Sequence, residues 1–197
     1  MLSDSIAKYV AISNTDVLPF RGITITGLSN RIRFDGLQLE GYSRILVHVG
    51  TNDLSNMFRY ERHRRTTIFD IMERYTALRN SIRRRNKCAV IMFTSILPRA
   101  FKTKLMRSYI TGVNFALEKF CARSDGTRVY IPAYKAFMSK FEKDQPNKAL
   151  FSENDGLHLE GPGVDKLEAI MQQAFSTEYL IDRVSCGQTL RLRDLSY

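Results

Sequence analysis

The chain has 197 residues, 30 Lys plus Arg against 20 Asp plus Glu, a formal net charge of +10 and 44% hydrophobic residues, a composition that excludes a disordered, collagenous or coiled-coil chain. A chain of this length buries roughly 70% of its unfolded surface, enough for one core without disulfides or a structural metal. No apolar run approaches the roughly 20 residues that span a bilayer, and the N-terminus lacks the basic-then-apolar order of a secretory signal. In chain order, apolar runs rich in β-branched residues predict strands at Val17-Leu18-Pro19-Phe20, Ile45-Leu46-Val47-His48-Val49, Ala89-Val90-Ile91-Met92-Phe93 and Val129-Tyr130-Ile131. Their near-continuous hydrophobicity implies burial on both faces.

Helical patterns lie between these runs. Ile68, Ile71, Met72, Tyr75, Leu78 and Ile82 recur at spacings of three and four, after Thr67 and Asp70 in capping positions and before Arg83-Arg84-Arg85, whose charge complements the helix dipole. A second pattern runs through Leu105, Tyr109, Val113, Leu117 and Phe120. A third runs through Val164, Leu167, Ile170, Met171 and Ala174 after Gly161-Pro162-Gly163. Alternating strands and helices predict right-handed βαβ crossovers and a parallel α/β sheet with helices on both faces. One domain is expected over 1–177, followed by a polar, basic tail over 178–197, with residues 54–65 and 144–154 as candidate site loops. Cys88, Cys121 and Cys186 are widely spaced, without a C-x-x-C pair. They read as core residues of a soluble, cytoplasmic protein in a reducing compartment.

Functional sites of such sheets lie at the carboxyl ends of the strands. Those ends carry Ser3-Asp4-Ser5, Gly22, Gly50-Thr51-Asn52-Asp53 and Asp155-Gly156-Leu157-His158. A serine nucleophile needs a base, the base needs an orienting carboxylate, and a tetrahedral oxyanion needs donors fixed in advance. The chain offers one of each. Taken singly, Ser5 reads as a helix N-cap and Asn52 as a turn residue. Gly22 alone would only let the chain turn, and Asp53 reads as a cap or loop hydrogen-bonder. His48 lies within an apolar strand run and His63 among Arg62, Arg64 and Arg65, whereas His158 has an acid three residues before it.

The ordered set Ser5, Gly22, Asn52 and His158 resembles the four blocks of the SGNH (GDSL-like) hydrolase family. The resemblance covers about residues 1 to 175, and its most specific pieces are His48-Val49-Gly50-Thr51-Asn52-Asp53 and Asp155-Gly156-Leu157-His158. The run from Ile45 to Asp53 is further similar to the esterase domain carried by the first open reading frame protein of some LINE-type retrotransposons. The resemblance implies a three-layer α/β/α sandwich with a flavodoxin-like, mostly parallel five-stranded sheet, and a serine esterase acting on acyl or acetyl esters. In it Ser5 is the nucleophile, His158 the general base and Asp155 its orienting acid. The amides of Ser5 and Gly22 and the side chain of Asn52 form the oxyanion hole, with Gly27 as the competitor of Gly22. No cofactor or metal is required.

Two features depart from the family pattern. Ser3 stands where the family has Gly, adding a Cβ and the prospect of backbone strain at a tight turn. Only Met1 and Leu2 precede it, so either the domain is cut from a longer protein or its first strand is abbreviated, and a weakened edge beside the nucleophile is expected.

The basic stretch around Arg59, Tyr60, Arg62, Arg64 and Arg65, with Arg83-Arg84-Arg85 and Lys102-Thr103-Lys104, supports a different reading. It describes an SGNH-type module of weak or no activity that binds RNA or an anionic membrane through its basic surface. The bland reading of the same residues is a solvated face.

Overall fold

A computed structural model describes residues 1–59, 66–101, 103–124, 126–142 and 144–176. Five strands, β1 (Leu2–Ser3), β2 (Leu18–Pro19), β3 (Arg44–His48), β4 (Val90–Thr94) and β5 (Arg128–Ile131), form one parallel sheet in the order β2-β1-β3-β4-β5. The helices are α1 (Ile25–Phe34), α2 (Thr51–Arg59), α3 (Ile68–Arg85), α4 (Lys104–Ala122) and α5 (Gly161–Ser176).

Alternation along the strands divides the core in two. Ile45, Val47, Ile91 and Phe93 pack with the apolar stripes of α1, α3 and α4. Leu46, Met92 and Ile131 pack with Ile6, Phe137, Phe151 and the Leu167 and Met171 face of α5. This is a three-layer α/β/α sandwich of the flavodoxin-like kind. Among the described residues, no helix is long and apolar enough to cross a membrane.

The strands predicted from apolar runs are present within a residue or two of their expected bounds, but burial on both faces belongs to β3 and β4. Both residues of β2 are exposed, because it is an edge strand, where Pro19 removes no needed ladder donor. The short β1 is not an edge: Leu2 and Ser3 pair with Leu18 and Pro19 on one side and with Val47 and His48 on the other. The expected weak edge is therefore absent. Nor is the backbone strained at Ser3, which lies extended in β1 and does not enter the left-handed region.

α3 starts on a capping box in which Thr67 Oγ1 accepts from the Asp70 amide and Asp70 Oδ2 from the Thr67 amide. Residues 54–59, expected as loop, are helical instead. Leu54 is fully buried, and Met57 and Phe58 pack on the core around it. α5 begins at Gly161, ahead of its expected start. Cys121 is a buried thiol, whereas Cys88 is exposed between α3 and β4 and disulfide-bonded, contrary to the reading of all three cysteines as core thiols. Residues 60–65, with Tyr60, Arg62, Arg64 and Arg65, and the tail from 177 onward lie outside the described residues, as does the side chain of Arg59.

Candidate active site

β1 ends at Ser3 and the chain turns at once into a short 3-10 segment, Ser5–Ala7. The cap of this turn is Asp4, whose Oδ1 accepts from the Ile6 amide at 3.0 Å. Ser5 is thereby released from the capping role its sequence suggests, and its Oγ lies 3.2 Å from His158 Nε2.

His158 reaches Ser5 from the other end of the chain, on a turn that holds itself together. Asp155 Oδ1 accepts from the amides of Leu157 and His158, at 2.8 and 3.0 Å, while its Oδ2 lies 2.6 Å from His158 Nδ1. Partial burial opposes ionisation of Asp155, but the ring of His158 and the two amides outweigh it and hold the carboxyl below its ordinary value. The base of the turn is closed by Ser152, whose amide donates to the His158 carbonyl at 2.8 Å. Gly156 is the point where only glycine fits: its φ is +60°, and a Cβ there would lie 2.5 Å from Phe101 Cδ2. The close approach lets the Ala100 amide donate to the Gly156 carbonyl at 2.8 Å.

Across the site, Asn52 stands in the first turn of α2 and its Nδ2 donates to the Ile23 carbonyl at 2.9 Å. This ties α2 to the segment carrying Gly22 and, among the described residues, leaves the second proton of the amide unspent. Gly22 is exposed at φ +70°, with nothing within 4 Å of where a Cβ would sit. Among the described residues no acceptor takes the amide of Ser5 or Gly22. Gly27 is different, since its amide donates to Thr24 Oγ1 at 3.0 Å in the cap of α1. The structure therefore leaves the Gly22 amide available and the Gly27 amide committed.

Beneath these groups lies a buried polar frame that sequence reading did not find. Asp53 Oδ2 accepts from the Ile25 amide at 2.8 Å and its Oδ1 from Arg74 at 2.9 Å, fixing the start of α1 against α2 and α3. Burial raises its pKa despite both partners. Tyr75 Oη donates to the Val49 carbonyl at 2.6 Å. Arg99, 7% exposed, comes from the loop after β4 and donates through Nη2 to Thr51 O and Ser55 Oγ, each at 2.6 Å. Burial works against its charge, and Asp4 and Asp155 support it. Burial likewise pushes Asp4 up to about 7, although the Ile6 amide, His158 and Arg99 pull the other way. The one sequence signal for Arg99 is a charged residue just beyond an apolar strand run. His48, fully buried, is not part of the exposed cluster; its Nδ1 bonds Thr94 Oγ1, and burial lowers its pKa to about 4, keeping the ring neutral.

The fold carrying this cluster has solved counterparts. It is similar to a Streptococcus pneumoniae protein at TM-score 0.71 and 19% identity, over 88% of this chain and 81% of that one. It is similar to a member of the lipolytic G-D-S-L family from Veillonella parvula at TM-score 0.63 and 17% identity, over 89% and 96%. The fold is that of the SGNH hydrolases. The lipase Lip_vut3 from a goat rumen metagenome shares it at TM-score 0.67 and 13% identity, over 88% of this chain and 94% of the lipase. No protein-family model and no curated protein matches the sequence, so the likeness is one of SGNH architecture.

Proposed function

We propose that the protein is a serine carboxylic-ester hydrolase working through an acyl-enzyme. The observation that carries this reading is the unbroken relay from Ser5 Oγ to His158 Nε2 at 3.2 Å and from His158 Nδ1 to Asp155 Oδ2 at 2.6 Å. His158 takes the Ser5 proton as Oγ attacks the ester carbonyl, and Asp155 holds the imidazole in the tautomer that leaves Nε2 free to accept it. The oxyanion is received by the amides of Ser5 and Gly22 and by the free proton of the Asn52 amide. When the intermediate collapses, His158 returns its proton to the leaving alkoxide. A water molecule then repeats the sequence on the acyl-Ser5 ester and releases the acid. Every bond made or broken is served by a residue of this chain.

The sequence resemblance adds the finer reading that the acyl group is small, such as acetyl, and that the domain belongs to a LINE-type retrotransposon protein. The test is hydrolysis of 4-nitrophenyl acetate by the parent, Ser5→Ala and His158→Ala, with folding checked by circular dichroism. Turnover in either variant falls at least about a thousandfold. Folded variants hydrolysing at the parent rate would overturn the reading.

A further inference from the structure

The Ser5 and His158 pair opens into a pocket of about 440 Å³ lined by Ser5, Lys8, Tyr9, Pro19, Arg21 and His158. Two of these six residues are cations and none is a carboxylate. Lys8 follows the nucleophile by three residues, on the C-terminal side of the same 3-10 turn. Its Nζ stands 4.9 Å from the centre of the Tyr9 ring and donates to Tyr9 Oη at 3.4 Å, which keeps the ammonium at the pocket rim. Arg21 immediately precedes Gly22, on the segment that Asn52 anchors through Ile23. The nearest acid of the relay, Asp155, is engaged by His158 and by two backbone amides, and it lines a separate pocket with Phe58, Arg99, Met106 and Leu157.

The chemistry of the relay assigns a role to the cation-lined pocket. His158 must return its proton to the leaving oxygen, so the leaving group departs on the side that His158 lines, and that side is the pocket of Lys8 and Arg21. We infer that the preferred substrates are esters whose leaving alcohol carries an anionic group, a carboxylate or a phosphate, received by Lys8 and Arg21 beside the reacting carbonyl. This rests on the hydrolase reading above and narrows its substrate class. Both cations are exposed, so their attraction is moderate and weakens with salt.

The experiment compares four aryl acetates on the intact chain: phenyl acetate, 4-acetoxybenzoate, 4-acetoxyphenyl phosphate and 4-acetoxyphenyl-trimethylammonium. Each kcat/KM is divided by the rate constant for hydroxide-catalysed hydrolysis of the same ester, which removes differences in leaving-group reactivity. The parent favours the anionic esters over the cationic one by about tenfold, two exposed charge contacts combined, and the preference shrinks as salt is raised. In the double variant Lys8→Gln, Arg21→Gln the anionic-to-neutral ratio, in which any general loss of activity cancels, falls toward one. The benzoate and phosphate arms show which anion the pair fits better. An unchanged ratio in the variant, or a parent without charge preference, would overturn the inference while leaving the hydrolase intact. An equal fall for all four esters would also overturn it, since the cations would then serve the oxyanion alone. Hydrolysis of none of the four would overturn the hydrolase reading itself and this inference with it.

Discussion

The turn from Asp155 to His158 is held by its own backbone, whereas the first turn of α2 is tied to three other segments, by the side chains of Arg99 and Arg74 and by the backbone of Ile23 and Ile25. In the former, the partners of Asp155 are two and three residues away, and the turn is exposed. In the latter, Arg99 reaches Thr51 and Ser55 from 48 and 44 residues away, Asp53 meets Arg74 and Ile25, and Asn52 meets Ile23, all in buried or partly buried surroundings. On the hydrolase reading proposed above, the difference follows from what each side would do. An acid and base pair can be oriented locally, because one carboxylate suffices to fix a ring. An oxyanion hole needs donors from separate strands held in register before the charge forms, and only a rigid frame supplies that.

Breaking the local side has the largest expected effect. Asp155→Asn keeps the acceptor for the two amides, but its Nδ2 would donate to His158 Nδ1 and force the proton onto Nε2, where it blocks acceptance from Ser5. A loss in kcat of up to about ten-thousandfold follows, with little loss of stability. Steady-state kinetics beside thermal melting checks both halves. On the other side, Asn52→Ala removes one oxyanion donor and the tie to Ile23. It lowers kcat by about a hundredfold to a thousandfold, with KM much less affected.

Arg99→Met loosens the frame without touching a reacting atom. It unclamps Thr51 and Ser55 and leaves Asp4 and Asp155 without their buried cation, so kcat/KM falls roughly tenfold or more through misplaced Asn52. Arg99→Lys should not restore it fully, because both bonds are made from the single Nη2 at the end of the guanidinium and the shorter lysine side chain does not carry its ammonium to that position. Full activity in Arg99→Met would show that the frame is structural only.

The contrast also explains what the sequence made legible. Asp155 and His158 could be paired from their spacing because their bonds are local, whereas Ser5 and Asn52 stand where strands end but drew their expected roles from the resemblance of the ordered set to the SGNH blocks. The alternation of Ile45, Val47, Ile91 and Phe93 with Leu46 and Met92 made the layered sheet readable for the same reason. Arg99, Arg74 and Tyr75 were not legible, since their meaning depends on pairings set by the crossovers. The cap at Asp4 in place of Ser5 was missed because both residue types cap well, and only the tight exit from β1 decides between them. Residues 54–59 are helical rather than loop because Leu54 is buried in the core and Phe58 packs edge-on against Tyr109 of α4, which local propensity does not reveal.

The smallest expected effect concerns stability. Asp4 is raised to about 7 by burial, so the folded chain holds a proton there that the unfolded chain has already lost above its ordinary carboxylate value. Its contribution is full at low pH and is lost as pH rises from about 4 to about 7, by at most a few kcal/mol. Asp4→Asn keeps the Oδ1 acceptor for the Ile6 amide and removes that slope. Urea unfolding at pH 5 and pH 8 should show the variant gaining on the parent as pH rises, and parallel curves would refute the assignment.

The proposed acyl-enzyme is a covalent species, and rapid acid quenching during turnover of 4-nitrophenyl acetate, followed by peptide mass spectrometry, would trap it. An acetyl group on the Ser5 peptide of the parent, absent from Ser5→Ala and strongly reduced in His158→Ala, is the predicted result. Turnover with the acetyl group on another residue, or undiminished in Ser5→Ala, would contradict it.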